Sequence, residues 1–496
     1  LRPRQQSLRR SRSECIAVFD VGTTNVKSVI IDVEGNVLSK SIKEIPLITP
    51  RPEFIELDPE VLWKTATETM KEAVRTAGVS PDNVLAIGVC TQRATVIPLD
   101  KDIKPLYNAI TWMDGRRSKS AESIWKQIIQ RVLAIKFLWF KDEKPEILER
   151  MWKFVTVDTY MYLKLAESCV CDFSNAAYGP FDVKSLKWSD QLSEIFKVPI
   201  DKLPDIAEPG TVVGELTSSA AEEIGLKKGT PVICGSGDQQ CSSIALGVVE
   251  RGRAKATTGT GTFLDVCVDA PPFDFYQSAL RIFCLPHAIK NLWLLEGVLP
   301  TTGAIYRWLR DKLSENVVEM ARSRNVDPYV ILDEEAEKVG PGADGLIVVP
   351  LFSFSKGVIH GLSLEHGRAH IARAILESVG FGLRLFLRFM EAFGIKVEEL
   401  YVDGGGMRSR LWRRILADIT GKKIVLPENI EDCSSIGAAI LAAWGVKFYP
   451  SIEKAVKGMT RIVEALDPNP DNKKVYDQIY PRFEKLIMSV AAELPV

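Results

Sequence analysis

The chain has 496 residues, too many for one ordinary hydrophobic core, so two or three domains are expected. At 46% hydrophobic and 26% charged it has a globular composition, and no apolar run reaches the roughly 18 residues that span a bilayer as a helix. A net charge of −1 argues against broad electrostatic binding to nucleic acid or to anionic membranes.

Nine cysteines are scattered without a Cys-x-x-Cys frame, so reduced thiols and a cytoplasmic setting are expected. Residues 1–14 are rich in Arg and Ser and nearly free of acid; they read as a disordered extension or a cloning remnant and are left out of the fold.

Residues 16–19 form a short apolar strand that enters DVGTTNVK (20–27), followed by a strand at 28–32, a turn at 34–36 and a third strand. Thr23 and Thr24 in that first turn can donate to phosphate, Lys27 adds a point charge, and Asp20 at a strand end suits hydrated Mg²⁺. The same residues also satisfy a plain hairpin.

A helix is expected over 58–78, with Pro59 at its start and Gly78 after its end. The strand at 84–90 delivers TQRAT (91–95), and residues 107–112 lead into MDGRR (113–117). Arg93 and Asp114 are either surface ion-pair partners or grips for the hydroxyls of a polyol. Helices follow at 153–165, 190–196 and 220–225, with a polar loop at 172–177.

The strand at 231–234 runs to GSGDQQ (235–240), which places one acid, Asp238, at a strand end. A domain boundary is placed near 249–253, giving halves 15–250 and 251–496. Beyond it the pattern begins again: strand 253–257, the turn TGTG (258–261), strand 263–268, a weak internal repeat of 16–32. That turn offers backbone N–H groups and hydroxyls to an anion. An acid beside anion cradles points to proton removal next to phosphate.

Residues 294–311 contain Glu296-Gly297 and a helix through Gly303, Arg307 and Trp308. A buried strand is read at 346–351, and a long helix at 369–393 whose apolar face is core. The strand at 400–402 enters DGGG (403–406) before a helix that stops at Gly421; a triple glycine there either brings backbone near a ligand or is a joint. His366 and His370 have the spacing of a helical metal pair but lack a third ligand, and read as helix entry.

Taken in order, DVGTTNVK, GDQQ, TTGTGTF, the stretch GVIHGLSLEHGRAHIARAILE (357–377) and GGG resemble the FGGY carbohydrate kinases of the actin-like ATPase superfamily, from about residue 16 to at least 447. The resemblance implies an α/β fold of two actin-like (ribonuclease H-like) ATPase domains with a cleft between them. It implies ATP and Mg²⁺ as cofactors and phosphorylation of a primary hydroxyl on a small polyol or ketose. KPLYNAITW (104–112) and Gln92-Arg93 are most similar to glycerol kinases, whereas LWRRILAD (411–418) resembles pentulose kinases, especially xylulokinases, at least as well.

On that resemblance Asp238 is the general base and Asp20 the metal-side acid. Arg93, Trp112, Asp114, Gln239 and Phe263 form the substrate wall. Thr23, Thr24, Lys27, Thr258, Gly259 and Thr260 serve the phosphates; Gly303, Arg307, Gly405 and Gly406 serve the adenosine. A homodimer or homotetramer is a family expectation.

There are departures. A substrate-binding Glu of glycerol kinases is Ala94 here, and an adenine-side Gln is Arg307. The segments between 112 and 136, where Arg131 stands near a usual substrate-binding Tyr, and between 354 and 356 are short for the family. DVGTTN also resembles the opening of heat-shock chaperones, but those lack GDQQ together with the 357–377 stretch.

Overall fold

The computed structural model describes residues 14–124, 130–277, 282–352 and 357–492. Most of the expected N-terminal extension, part of the short 112–136 segment and all of 354–356 lie outside the described residues.

Two twisted sheets carry the fold. The first is built on β1 (Cys15–Val21), β2 (Asn25–Asp32), β3 (Val37–Glu44), β4 (Val84–Thr91), β5 (Val212–Glu215) and β6 (Pro231–Gly237), in the order β5-β6-β4-β1-β2-β3. β1 is buried throughout and pairs antiparallel with β2 and parallel with β4, which suits its unbroken apolar run. β3 is the outer edge, and its exposed Lys40, Lys43 and Glu44 discourage further pairing.

The second sheet repeats the plan. β7 (Ala254–Thr258) and β8 (Thr262–Val268) form its hairpin, β9 (Trp293–Leu299) adds antiparallel to β8, and β10 (Glu399–Asp403) and β11 (Lys423–Pro427) add parallel beyond β7. The expected repeat of 16–32 at 253–268 is therefore the same central hairpin in each sheet. The Gly/Thr turns, 22–24 and 259–261, occupy equivalent corners.

The expected helix at 58–78 is α1 (Pro59–Ala77): Asp58 accepts from the Glu60 and Val61 N–H groups, and Gly78 ends it at φ +64°. The helix expected at 153–165 is corrected. Lys153–Thr156 is a strand paired with Val96–Leu99, and only Val157–Ala166 is helical. Phe154, Val155 and Thr156 favour an extended chain, and no Gly or Pro separates them from the helix to mark the change.

Between the sheets lie α2 (Asp238–Ala245) and α3 (Cys433–Gly445), which pack on each other. Beyond its first turn α3 is apolar on every side, and it covers β1, β4 and β6 although it lies 430 residues along the chain. Among the described residues no helix is long and apolar enough to cross a membrane. All nine cysteines are free thiols, eight of them buried.

Candidate active site

Each central hairpin carries a cross-strand acid–lysine pair beside its turn. In the first, Asp20 and Lys27 are register partners, and Lys27 Nζ lies 3.1 Å from Asp20 Oδ2. Lys27 also reaches Asp432 at 3.2 Å and the Glu431 carbonyl at 3.1 Å. Ser434 and Ser435 donate to Asp20 Oδ2 at 2.6 and 2.7 Å. Burial alone would raise the Asp20 pKa, but Lys27 and the two serine hydroxyls outweigh it and hold the carboxyl below its ordinary value. Lys27, buried between two carboxylates, is held above its own.

Thr23 and Thr24 stand at the turn, Thr24 exposed and Thr23 half-buried. The Trp112 indole N–H donates to Thr23 Oγ1 at 2.8 Å, joining the expected substrate wall to the first phosphate turn.

In the second hairpin Lys255 and Asp265 are register partners, 2.8 Å apart and fully buried. Lys255 also donates to Gln239 Oε1 at 2.7 Å. Thr258 is buried with its hydroxyl accepting from Thr262 at 3.3 Å, while Gly259 and Thr260 are exposed. Two further glycine turns close on this one. A Cβ on Gly303 would lie 2.0 Å from the Gly259 carbonyl oxygen, and one on Gly404, at φ +89°, 2.5 Å from that of Thr258. Neither approach tolerates a side chain. Gly405 faces open space, whereas Gly406 packs on Thr258 and Trp412. Arg307 is exposed one helical turn beyond Gly303.

Asp238 begins α2 where β6 ends. Its side chain is 44% exposed and lies 3.6 Å from Arg93 Nε. The surrounding protein and the negative charge of Asp20 raise its pKa, against the opposing pull of Arg93 and the Gln239 N–H. Arg93 is buried and donates from one terminal nitrogen to both oxygens of Glu296, at 3.1 and 2.8 Å. Its other terminal nitrogen, buried, has no hydrogen-bond partner among the described residues. Gln239 is buried next to Asp238, and Phe263 is half-buried beside the second turn.

The geometry therefore brings together Asp238, Arg93 and Gln239, ties Trp112 to Thr23, and stacks the 258–260, 303 and 404–406 turns. Asp114 is placed differently. Its fully buried carboxylate accepts from Arg116 at 2.7 and 2.8 Å and from the Ile55 N–H at 2.7 Å. Arg131 turns inward, donating to the carbonyls of Ala177, Gly179 and Phe181, and stacks on Phe275.

Sequence reasoning missed Asp432, Ser434, Ser435, Lys255, Asp265 and the contact made by Glu296. Only the two hairpin pairs left a signal: a Lys and an acid, each inside an apolar strand, in facing register about a Gly/Thr turn.

Two family models, "FGGY family of carbohydrate kinases", match this chain: the N-terminal domain over residues 15–245 and the C-terminal domain over 254–446. The chain belongs to the FGGY family of carbohydrate kinases. It is 31% identical to a glycerol kinase from Thermococcus gammatolerans over 472 residues, 92% of this chain and 94% of that one. It is 28% identical to a gluconokinase from Bacillus licheniformis, covering 96% of each, and 27% to a xylulose kinase from Staphylococcus epidermidis, covering 95% and 96%.

Among solved structures, the xylulose kinase from Rhodospirillum rubrum superposes with a TM-score of 0.85 at 25% identity, over 96% of this chain and 99% of that one. The gluconate kinase from Lactobacillus acidophilus gives 0.86 at 24% identity, over 97% and 99%. The fold is the two-domain actin-like fold with a cleft, as expected, and the chain is a carbohydrate kinase.

Proposed function

We propose that this kinase transfers the γ-phosphoryl group of ATP to a primary hydroxyl of a small polyol or ketose, in the manner of glycerol kinases. The observation that carries the proposal is Asp238: an accessible carboxylate at a strand end, beside a buried Arg93 with a nitrogen unpartnered among the described residues.

In this reading residues 15–250 hold the carbohydrate and the first phosphate turn, and 251–496 hold the nucleotide. Arg93, Trp112, Gln239 and Phe263 position the acceptor, while Asp114, the fifth expected wall residue, braces the turn after Trp112 through Arg116 and the Ile55 N–H. Asp238 takes the hydroxyl proton as the oxygen bonds to the γ-phosphorus and the bridging P–O bond to ADP breaks. Donors of Thr23, Thr24, Lys27, Gly259 and Thr260, with Thr258 behind them, offset charge on the transferring group. Gly303, Arg307, Gly405 and Gly406 line the adenosine.

Asp20 fits Mg²⁺. It is an ionised carboxylate beside the first turn, and its hydrogen bonds and ion pair all fall on Oδ2. When bound, the ion would neutralise phosphate charge.

A second reading is a pentulose kinase. Ala94 carries no carboxylate to accept a hydroxyl proton from glycerol, a contact worth about 1 kcal/mol. The xylulose kinase and gluconokinase relatives are nearly as similar as the glycerol kinases.

The test is ADP release over glycerol, erythritol, D-xylulose, L-xylulose, D-ribulose and gluconate, with Asp238→Asn alongside. One substrate turned over strongly, with kcat roughly 10²-fold or more lower in the variant, is the expected result. ATP consumption indifferent to every carbohydrate and unchanged in the variant would refute the mechanism.

A further inference from the structure

Lys136 lies on the helix Val132–Glu143 and is only 1% exposed. A lysine kept for its aliphatic stem runs its amine out to water. This one does the reverse. Its ammonium donates to three main-chain carbonyls, Ala94 at 2.8 Å, Ile110 at 3.2 Å and Thr111 at 2.6 Å, and pairs with no carboxylate among the described residues. All three of its protons are thereby used.

Those carbonyls belong to two separate segments, and each segment carries a wall residue next door. Ala94 follows Arg93, and Thr111 precedes Trp112. Ala94 is also held at φ +59°, a left-handed conformation that a non-glycine residue keeps only when its surroundings fix it. Its N–H is tethered to Asn175 Oδ1 at 3.3 Å and its carbonyl to Lys136, so the turn is gripped on both sides. The Trp112 N–H in turn donates to Thr95 Oγ1 at 3.2 Å, closing the two segments on each other.

The nearest charges are Asp114 and Arg116, on the turn after the strand Ala109–Ile110, with Glu56 paired to Arg116. Burial pulls the lysine pKa down to about 7, with Asp114 opposing and Arg116 adding to the fall. The group is thus shut off from water and has the three carbonyls as its direct partners, with Asp114 adding a favourable field.

We infer that Lys136 is a positioning residue for carbohydrate recognition, clamping the Arg93 and Trp112 segments at their working separation without touching the substrate. The inference rests on the reading of Arg93 and Trp112 as substrate wall, and it adds a residue from a different helix that sets specificity through backbone alone.

The test compares Lys136→Met, Lys136→Gln and Arg93→Ala. KM is measured for the carbohydrate that turns over in the panel above, and Kd for ADP by calorimetry. The expected result is a rise in carbohydrate KM of roughly tenfold or more in both Lys136 variants, with ADP affinity unchanged. A residue needed only for folding would lower both affinities together, and that outcome, or an unchanged carbohydrate KM, overturns the inference. Should the Met variant not fold, the Gln variant decides, because its amide still offers two donors to the three carbonyls. If Arg93→Ala itself leaves carbohydrate KM unchanged, the wall reading falls, and the role of Lys136 falls with it.

Discussion

Asp238 does two things that conflict. Its raised pKa makes it, as the proposed base, a better proton acceptor near neutrality, but the protein packed around this half-exposed side chain and the charge of Asp20 make its ionised form costlier than in water. A group whose folded pKa lies above its unfolded value contributes stability at low pH and loses it as pH rises through the folded pKa. At neutral pH the ionised Asp238 is therefore a small burden on the fold, reduced by the water that reaches its half-exposed side chain. Asp238→Asn is expected to abolish turnover while leaving the thermal midpoint unchanged or higher, which calorimetry would show. For the wild type, kcat/KM is expected to fall on the acid side at a pH above the ordinary carboxylate range, read from a pH–rate profile.

At the scale of elements, the two hairpins stand on buried ion pairs, and these are asymmetric to mutation. Removing one member of Lys255–Asp265 leaves an uncompensated charge among apolar strands. Lys255→Met is expected to cost about 3–5 kcal/mol in denaturant unfolding, far more than the loss of any surface pair. The glycines make a paired prediction. Gly405→Ala is expected to fold as the wild type and to raise KM for ATP, because a Cβ there meets nothing within 4 Å. Gly406→Ala strikes Thr258 Cγ2 at 2.7 Å and Trp412 at 2.9 Å, and is expected to lower stability by about 1–3 kcal/mol.

The same elements explain what could be read in advance. The turns at 22–24 and 258–261 were legible because glycine and threonine run together there for a local reason, and the turn at 404–406 because three glycines do. The site's supports were not. Lys136 meets Ala94 from 42 residues away, and Lys27 meets Asp432 from 405. Such partners leave no spacing in the sequence, because each is chosen by the fold and not by its neighbours. The strand at Lys153–Thr156 was lost for a different reason: its residues also suit the start of the helix that follows without a break.

At the scale of the molecule, Arg93 on the first half and Glu296 on the second bind each other across the chain, 203 residues apart. Around them lie Lys255, Asp238 and Asp265, three acids to two bases, so one carboxyl is left without a full partner. Burial first, then Asp265, push Glu296 up to about 7 in spite of Arg93. The stability this group confers is present below its unfolded pKa and is lost as pH rises through about 7. The thermal midpoint is expected to drop between pH 6 and pH 8, and Glu296→Gln to flatten that dependence, as scanning calorimetry at the two pH values would reveal.

The crossing of α2 and α3 has a consequence for heat. A Cβ on Gly437 would sit 1.8 Å from the Cys241 carbonyl oxygen, so the two helices meet backbone to backbone. One starts at Asp238; the other carries Ser434 and Ser435 on its first turn, gripping Asp20. The spacing between Asp238, the proposed proton acceptor, and Asp20, the proposed metal-side acid, is accordingly a stiff gauge made of one backbone crossing and two short serine side chains. Warming that loosens side-chain packing leaves the gauge intact, and catalysis should survive to the brink of global melting, the inactivation and unfolding curves falling on one another.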